Sequence, residues 1–110
     1  MKFIGIWTVT EDGTASAPSQ YLVSVITGDE PAEVRIQNMN NKFTSPVIAS
    51  VRQDSLFIPA QTIDNITIEG KGVLLTGGPN LSIRLFYKVT EAGQTNDYGF
   101  DSGNFSIWTR

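Results

Sequence analysis

An all-β fold, a single antiparallel up-and-down barrel of about eight strands, is predicted for this 110-residue chain by three observations. Apolar residues recur at every second position in eight or nine short stretches, the period of a strand with one dry face. Val, Ile and Thr dominate those stretches, and their branched Cβ favours strand over helix. Clusters of Gly, Pro, Asn and Asp separate them at hairpin spacing. No window of a dozen residues carries apolar positions at i, i+3, i+4 and i+7. A helical turn within residues 14–19 is the most the pattern allows.

The strand-like stretches are residues 3–10, 21–27, 33–38, 47–53, 55–58, 63–69, 73–76, 81–90 and 104–108. The turns between them are Glu11-Asp12-Gly13, Gly28-Asp29-Glu30-Pro31, Gln53-Asp54, Gly70-Lys71-Gly72 and Gly77-Gly78-Pro79-Asn80, each rich in residues that supply unusual backbone angles or lack a donor. In the first stretch Gly5 and Trp7 share a face, so Gly5 marks a bend or a close approach and Trp7 plugs one end of the barrel. Val34 and Ile36 point inward in the third stretch, and Val47, Ala49 and Val51 in the fourth. Leu56 and Ile58 point inward and Phe57 outward, Pro59 ends that strand, and Gln61 beside it bonds turn carbonyls. Ile66 and Ile68 face in against Thr67 and Glu69. Leu81, Ile83, Leu85, Tyr87 and Val89 face in, leaving Arg84, Phe86 and Lys88 outside. Short successive hairpins favour a meander closing on itself over a Greek-key sandwich, and closure removes exposed edges. In a barrel of this size the inward Ile, Leu, Val, Phe and Tyr fill the interior.

Residues 1–110 form one domain, held by packing because there is no Cys to make a disulfide. The chain also lacks His, which together with the missing thiol removes the usual general base, the usual zinc ligands and the strong sulfur nucleophile. Net charge is −3 with eight scattered Lys and Arg, so no phosphate-binding patch is expected and no nucleic-acid partner. No apolar run approaches the length of a membrane helix, and residues 1–7 are too short for a secretory signal. A strand pattern starting almost at Met1 suits a mature region whose targeting segment has been removed.

Carboxylates are the remaining catalytic resource. Asp97 with Asp101, and Glu11 with Asp12, are neighbouring pairs, but each sits among Gly, Asn or Ser, where an acid bonds its own backbone in a turn. We expect no enzyme, cofactor or metal: residues 96–104 offer oxygen ligands yet fail the calcium-loop pattern, and the Gly pairs precede strands, not helix N-termini. Asn65-Ile66-Thr67, Asn80-Leu81-Ser82 and Asn104-Phe105-Ser106 fit the N-glycosylation pattern, as chance allows in a Ser- and Thr-rich chain. Binding candidates are Phe57, Arg84 and Phe86 on the outward face, an aromatic and cationic combination typical of interaction hot spots. Tyr98 and Phe100 join them from residues 91–103, the longest irregular segment, with residues 14–20 and 38–46 as further candidate loops.

Gly5-Ile6-Trp7 near the start of the first strand, followed by an antiparallel meander, resembles the lipocalin and calycin pattern. The order of Tyr21-Leu22-Val23-Ser24-Val25, Val34-Arg35-Ile36-Gln37-Asn38, Leu56-Phe57-Ile58-Pro59-Ala60-Gln61 and Ile83-Arg84-Leu85-Phe86-Tyr87 extends the likeness over nearly the whole chain. It is similar to the small lipocalin-like domains of Bacteroidetes lipoproteins. That resemblance implies the barrel and a cell-envelope location, periplasmic or on the outer-membrane surface, with a lipid anchor in the precursor. The signal peptide and lipid-modified cysteine of that group are not in this sequence. Asp54-Ser55-Leu56 likewise resembles the short O-glycosylation signal of exported proteins from these bacteria. The expected function is binding, through end loops or the outward aromatic patch, of a protein, a glycan or a small apolar ligand. The alternative is a structural subunit of a larger surface or virion assembly.

Overall fold

The computed structural model describes residues 2–78 and 80–110; Met1 and Pro79, the latter part of an expected turn, lie outside the described residues. The strands are β1 (Gly5–Glu11), β2 (Ser19–Thr27), β3 (Glu33–Gln37), β4 (Val47–Arg52), β5 (Ser55–Ile63), β6 (Ile66–Leu75), β7 (Ser82–Glu91), β8 (Gln94–Tyr98) and β9 (Ser106–Thr109). Each strand from β1 to β7 pairs antiparallel with the next. The first half of β7 then takes β9 on its other edge, and β9 pairs with β1. Eight antiparallel strands therefore close a barrel, and β8 is an addition hydrogen-bonded to the second half of β7. This is the all-β barrel read from the sequence. No helix among the described residues is long and apolar enough to cross a membrane.

The inward set runs through every strand and fills the interior: Trp7, Val9, Ile36, Ile58, Ile68, Ile83, Leu85, Tyr87 and Trp108 are among the fully buried side chains. At one end Trp7 donates its indole N–H to the Phe3 carbonyl at 2.9 Å. The Arg110 guanidinium lies 4.3 Å above the Trp7 ring and donates to the carbonyls of Ile4 and Lys2. Gly5 has φ +135°, and a Cβ there would stand 2.8 Å from Arg110 Nη1, so the close approach expected at this glycine is made by Arg110. Phe3 is buried in a turn ahead of β1, not in the strand.

Four expectations are corrected. Gly70-Lys71-Gly72 is the middle of one ten-residue strand, β6, not a turn between two. Gly70 lies opposite Tyr87 and Gly72 opposite Leu85, and the two strands approach so closely on the inner side that the glycines make room, not a bend. Pro59 does not end its strand either. The pairing of β5 with β6 shifts between Ile58 and Gln61, so Pro59 sits in a bulge where its missing N–H is not needed. The Gln61 side chain there accepts from the Ile48 N–H at 3.0 Å and donates to the Ile48 carbonyl at 2.8 Å, serving β4 as a backbone partner would. Finally, residues 94–98 are strand, and the helical turn falls at Met39–Asn41 as a 3-10 turn, not within residues 14–19.

Candidate functional site

The inward parity of β1, Gly5, Trp7, Val9 and then Glu11, delivers a carboxylate to the end of the barrel opposite Arg110, where it is buried. Tyr21 from β2, Tyr87 from β7 and Ser106 from β9 surround it. Tyr21 and Tyr87 each donate a hydroxyl to it at 2.8 Å, and Ser106 donates at 2.7 Å. Asn40, held at φ 60° in the 3-10 turn, reaches in from above and donates its amide to Glu11 at 3.0 Å and to the hydroxyl oxygens of Tyr87 and Tyr98 at 2.8 Å. β8 completes the roof: the Tyr98 ring stacks on Tyr87 with centroids 4.5 Å apart, and Asn96 donates to the Tyr98 oxygen and accepts from the Ala15 N–H. No ion pair reaches Glu11 among the described residues; hydroxyls and an amide alone satisfy its charge.

Burial first, and then the negative charge of Glu11, holds the Tyr21 hydroxyl far above the ordinary tyrosine range. Tyr87 is raised too, by burial, then by Tyr21 and Glu11. An unfolded tyrosine ionises near 10, so the stability these two contribute is complete below about pH 10 and drains away above it, by about 1.4 kcal/mol per pH unit for each. Urea melts between about pH 9 and 11.5 are expected to show this alkaline slope flattened by roughly half in Tyr87→Phe. An unchanged slope would mean that the hydroxyl is not held neutral by its surroundings.

Above this network lies an open cleft of about 190 Å³ whose walls come from Ala15 and Ser16 between β1 and β2, Asn40 and Lys42 at the 3-10 turn, and Gln94 and Asn96 on β8. Lys42 and Glu91 close one side through an ion pair at 2.6 Å. The three candidate segments thus converge at one mouth, the third of them as strand β8. They offer amide and hydroxyl groups, which both donate and accept.

The individually expected residues divide differently. Phe57, Arg84 and Phe86 lie together on the outer face of β5–β7, where Phe57 is 55% exposed. Phe86 is half covered by Phe105 at 5.3 Å, with the Arg84 guanidinium over the Phe105 ring. Tyr98 is not on a loop surface but buried beneath the cleft. Phe100 is half-buried in the excursion after β8, under the Lys88 ammonium. Of the acidic pairs, Asp97 is buried and accepts the backbone N–H groups of Phe100, Asp101 and Ser102, while exposed Asp101 pairs with Lys88. Glu11 points inward and Asp12 outward. Neither pair sets two carboxylates across a shared cleft.

No family model, curated protein or solved structure matches this chain. The closed eight-strand antiparallel barrel is consistent with a lipocalin-like fold. By sequence Glu11 was weighed only as half of an acidic pair with Asp12 and set aside as a turn residue, and Asn40 and Asn96 lay within candidate loops without being singled out. For Glu11 the signal was present, since it continues the alternation of β1 by one step into what reads as a turn. Asn40 and Asn96 carried none, because a positive-φ 3-10 turn and an accessory strand bring them together.

Proposed function

We propose that this protein is a non-enzymatic binding domain that takes a polar ligand, a glycan first among them, in the mouth cleft between two end loops and strand β8. The observation that carries the reading is the convergence of residues 15–16, 40–42 and 94–96 over a barrel whose interior is already filled. A filled interior leaves no room for a carried apolar molecule, so recognition belongs to the rim. With the Asn40 N–H groups and both ends of the Asn96 amide already engaged, the Asn40 carbonyl oxygen, the Gln94 amide and the Ser16 hydroxyl are the groups that match the vicinal hydroxyls of a sugar. The Glu11 network beneath fixes Asn40, so one of the recognising groups is preorganised. The resemblance to lipocalin-like domains of Bacteroidetes lipoproteins supports a place in the cell envelope for such a module.

The alternative, a subunit of a surface assembly, draws support from Phe57 and the other exposed apolar side chains, but barrel closure removes most strand edges through which copies would join. The test is a series of amide ¹⁵N–¹H correlation spectra titrated with a panel of mono- and oligosaccharides, alongside a dilution series. Shifts confined to Ser16, Asn40, Lys42, Gln94 and Asn96 are expected, and lost in Asn96→Ala. Silence at the mouth across the panel, with dilution-dependent shifts elsewhere, would replace the binding module with the assembly subunit.

A further inference from the structure

The outward face of β4–β7 carries a second feature, independent of the mouth. Of the eight cationic side chains, four are in ion pairs, Lys2 with Asp54, Arg35 with Asp29, Lys42 with Glu91 and Lys88 with Asp101, and Arg110 is spent on Trp7 and backbone carbonyls. The three left without a carboxylate partner among the described residues are Arg52, Lys71 and Arg84. All three are exposed, and strand register makes them neighbours. Arg52, Ser55, Val73 and Arg84 form one row across β4, β5, β6 and β7, and Phe57, Lys71 and Phe86 form the next. Between the rows lies an apolar groove of about 350 Å³ walled by Phe57, Val73 and Phe86. Glu69, two residues along β6 from Lys71, is engaged by Lys88 at 3.5 Å.

We infer that this groove docks a short, extended acidic segment of a partner protein bearing a central aromatic side chain. Strand spacing fixes the match. Arg52 and Arg84 are three strands apart, about 14 Å, and an extended peptide advances about 3.3 Å per residue, so acids four positions apart meet both cations. In that extended peptide the residue midway between the acids points the same way, into the groove beside Phe57 and Phe86. The concave, apolar floor favours a side chain over a flat bilayer surface, and the cations supply orientation.

The probe is a fluorescein-labelled peptide with the core Asp-Ser-Phe-Ser-Asp, followed by polarisation up to about 1 mM protein. Saturable binding is expected, weakened at least about tenfold in Phe57→Ser and in Lys71→Glu, and weakened further as salt rises. The core Lys-Ser-Phe-Ser-Lys is expected not to bind. Both substituted side chains are exposed, so thermal melts should match the parent; Arg84→Glu serves should either variant fail to fold. Absence of binding, or equal binding of the two peptides, overturns the inference. So does Phe57-dependent sedimentation with phosphatidylglycerol vesicles in the absence of peptide binding, which would assign the face to a membrane surface.

Discussion

Gly70→Ala is expected to destabilise the barrel by about 3 kcal/mol, at the upper end of what overpacking costs, and to lower its melting temperature by more than about 10 °C. A Cβ at position 70 would lie 2.4 Å from the Cβ of Tyr87 and 2.8 Å from the Phe86 carbonyl oxygen. Neither atom can yield. One is backbone, and the other belongs to a side chain fixed by its hydroxyl on Glu11 and its ring on Tyr98. Relief therefore requires moving β6 from β7, the longest pairing in the sheet and the one that closes the barrel. Gly72→Ala is the informative companion. Its Cβ would meet the flexible end of Leu85 at 2.9 Å and the Arg84 carbonyl at 3.1 Å, so a loss nearer 1 kcal/mol is expected. Thermal and urea denaturation of both variants measure the difference, and a Gly70→Ala protein melting within a degree or two of its parent would refute the placement of Gly70 against Tyr87.

Glu11→Ala is expected to cost about 3 kcal/mol for a different reason. The substitution leaves the buried hydroxyls of Tyr21, Tyr87 and Ser106 without their acceptor, the Asn40 amide keeping the tyrosine oxygens, and an unsatisfied buried donor costs about 1–3 kcal/mol. Losing the buried charge offsets part of that sum. Glu11→Gln keeps the shape and one acceptor oxygen, so it should lose about half as much. The same Glu11→Ala change weakens the hold on Tyr21 and Tyr87 and so moderates their alkaline instability, because one of the two largest influences on Tyr21 is gone. A double-mutant cycle with Tyr87→Phe separates the pair from the rest of the network. Full additivity in that cycle, or a Glu11→Ala variant as stable as the parent, would show that water already fills the mouth.

The residues that made the fold legible acted locally. Alternation of Ile83, Leu85, Tyr87 and Val89 against Arg84, Phe86 and Lys88 states which side of a strand is dry, whatever that strand pairs with. Pro59, Gly70 and Gly72 misled because their ordinary local meaning is a strand end or a turn. Which meaning applies depends on what the neighbouring chain does: a bulge opposite β6 in one case, the backbone of β7 in the other. The site was less legible than the fold. Tyr98 was noticed for the right segment and the wrong surroundings, since pairing of β8 with β7 turns its ring inward onto Tyr87.

By itself, then, the sequence determined the class of structure, the inward set of most strands and the lack of histidine and cysteine, because alternation and composition are properties of the chain alone. Only the tertiary structure decided that Glu11 is an interior group, that three separated segments share one mouth, and that Arg52, Lys71 and Arg84 are neighbours. Those facts depend on strand register and closure. Register is set by the sum of many weak cross-strand contacts, which no single segment of sequence contains.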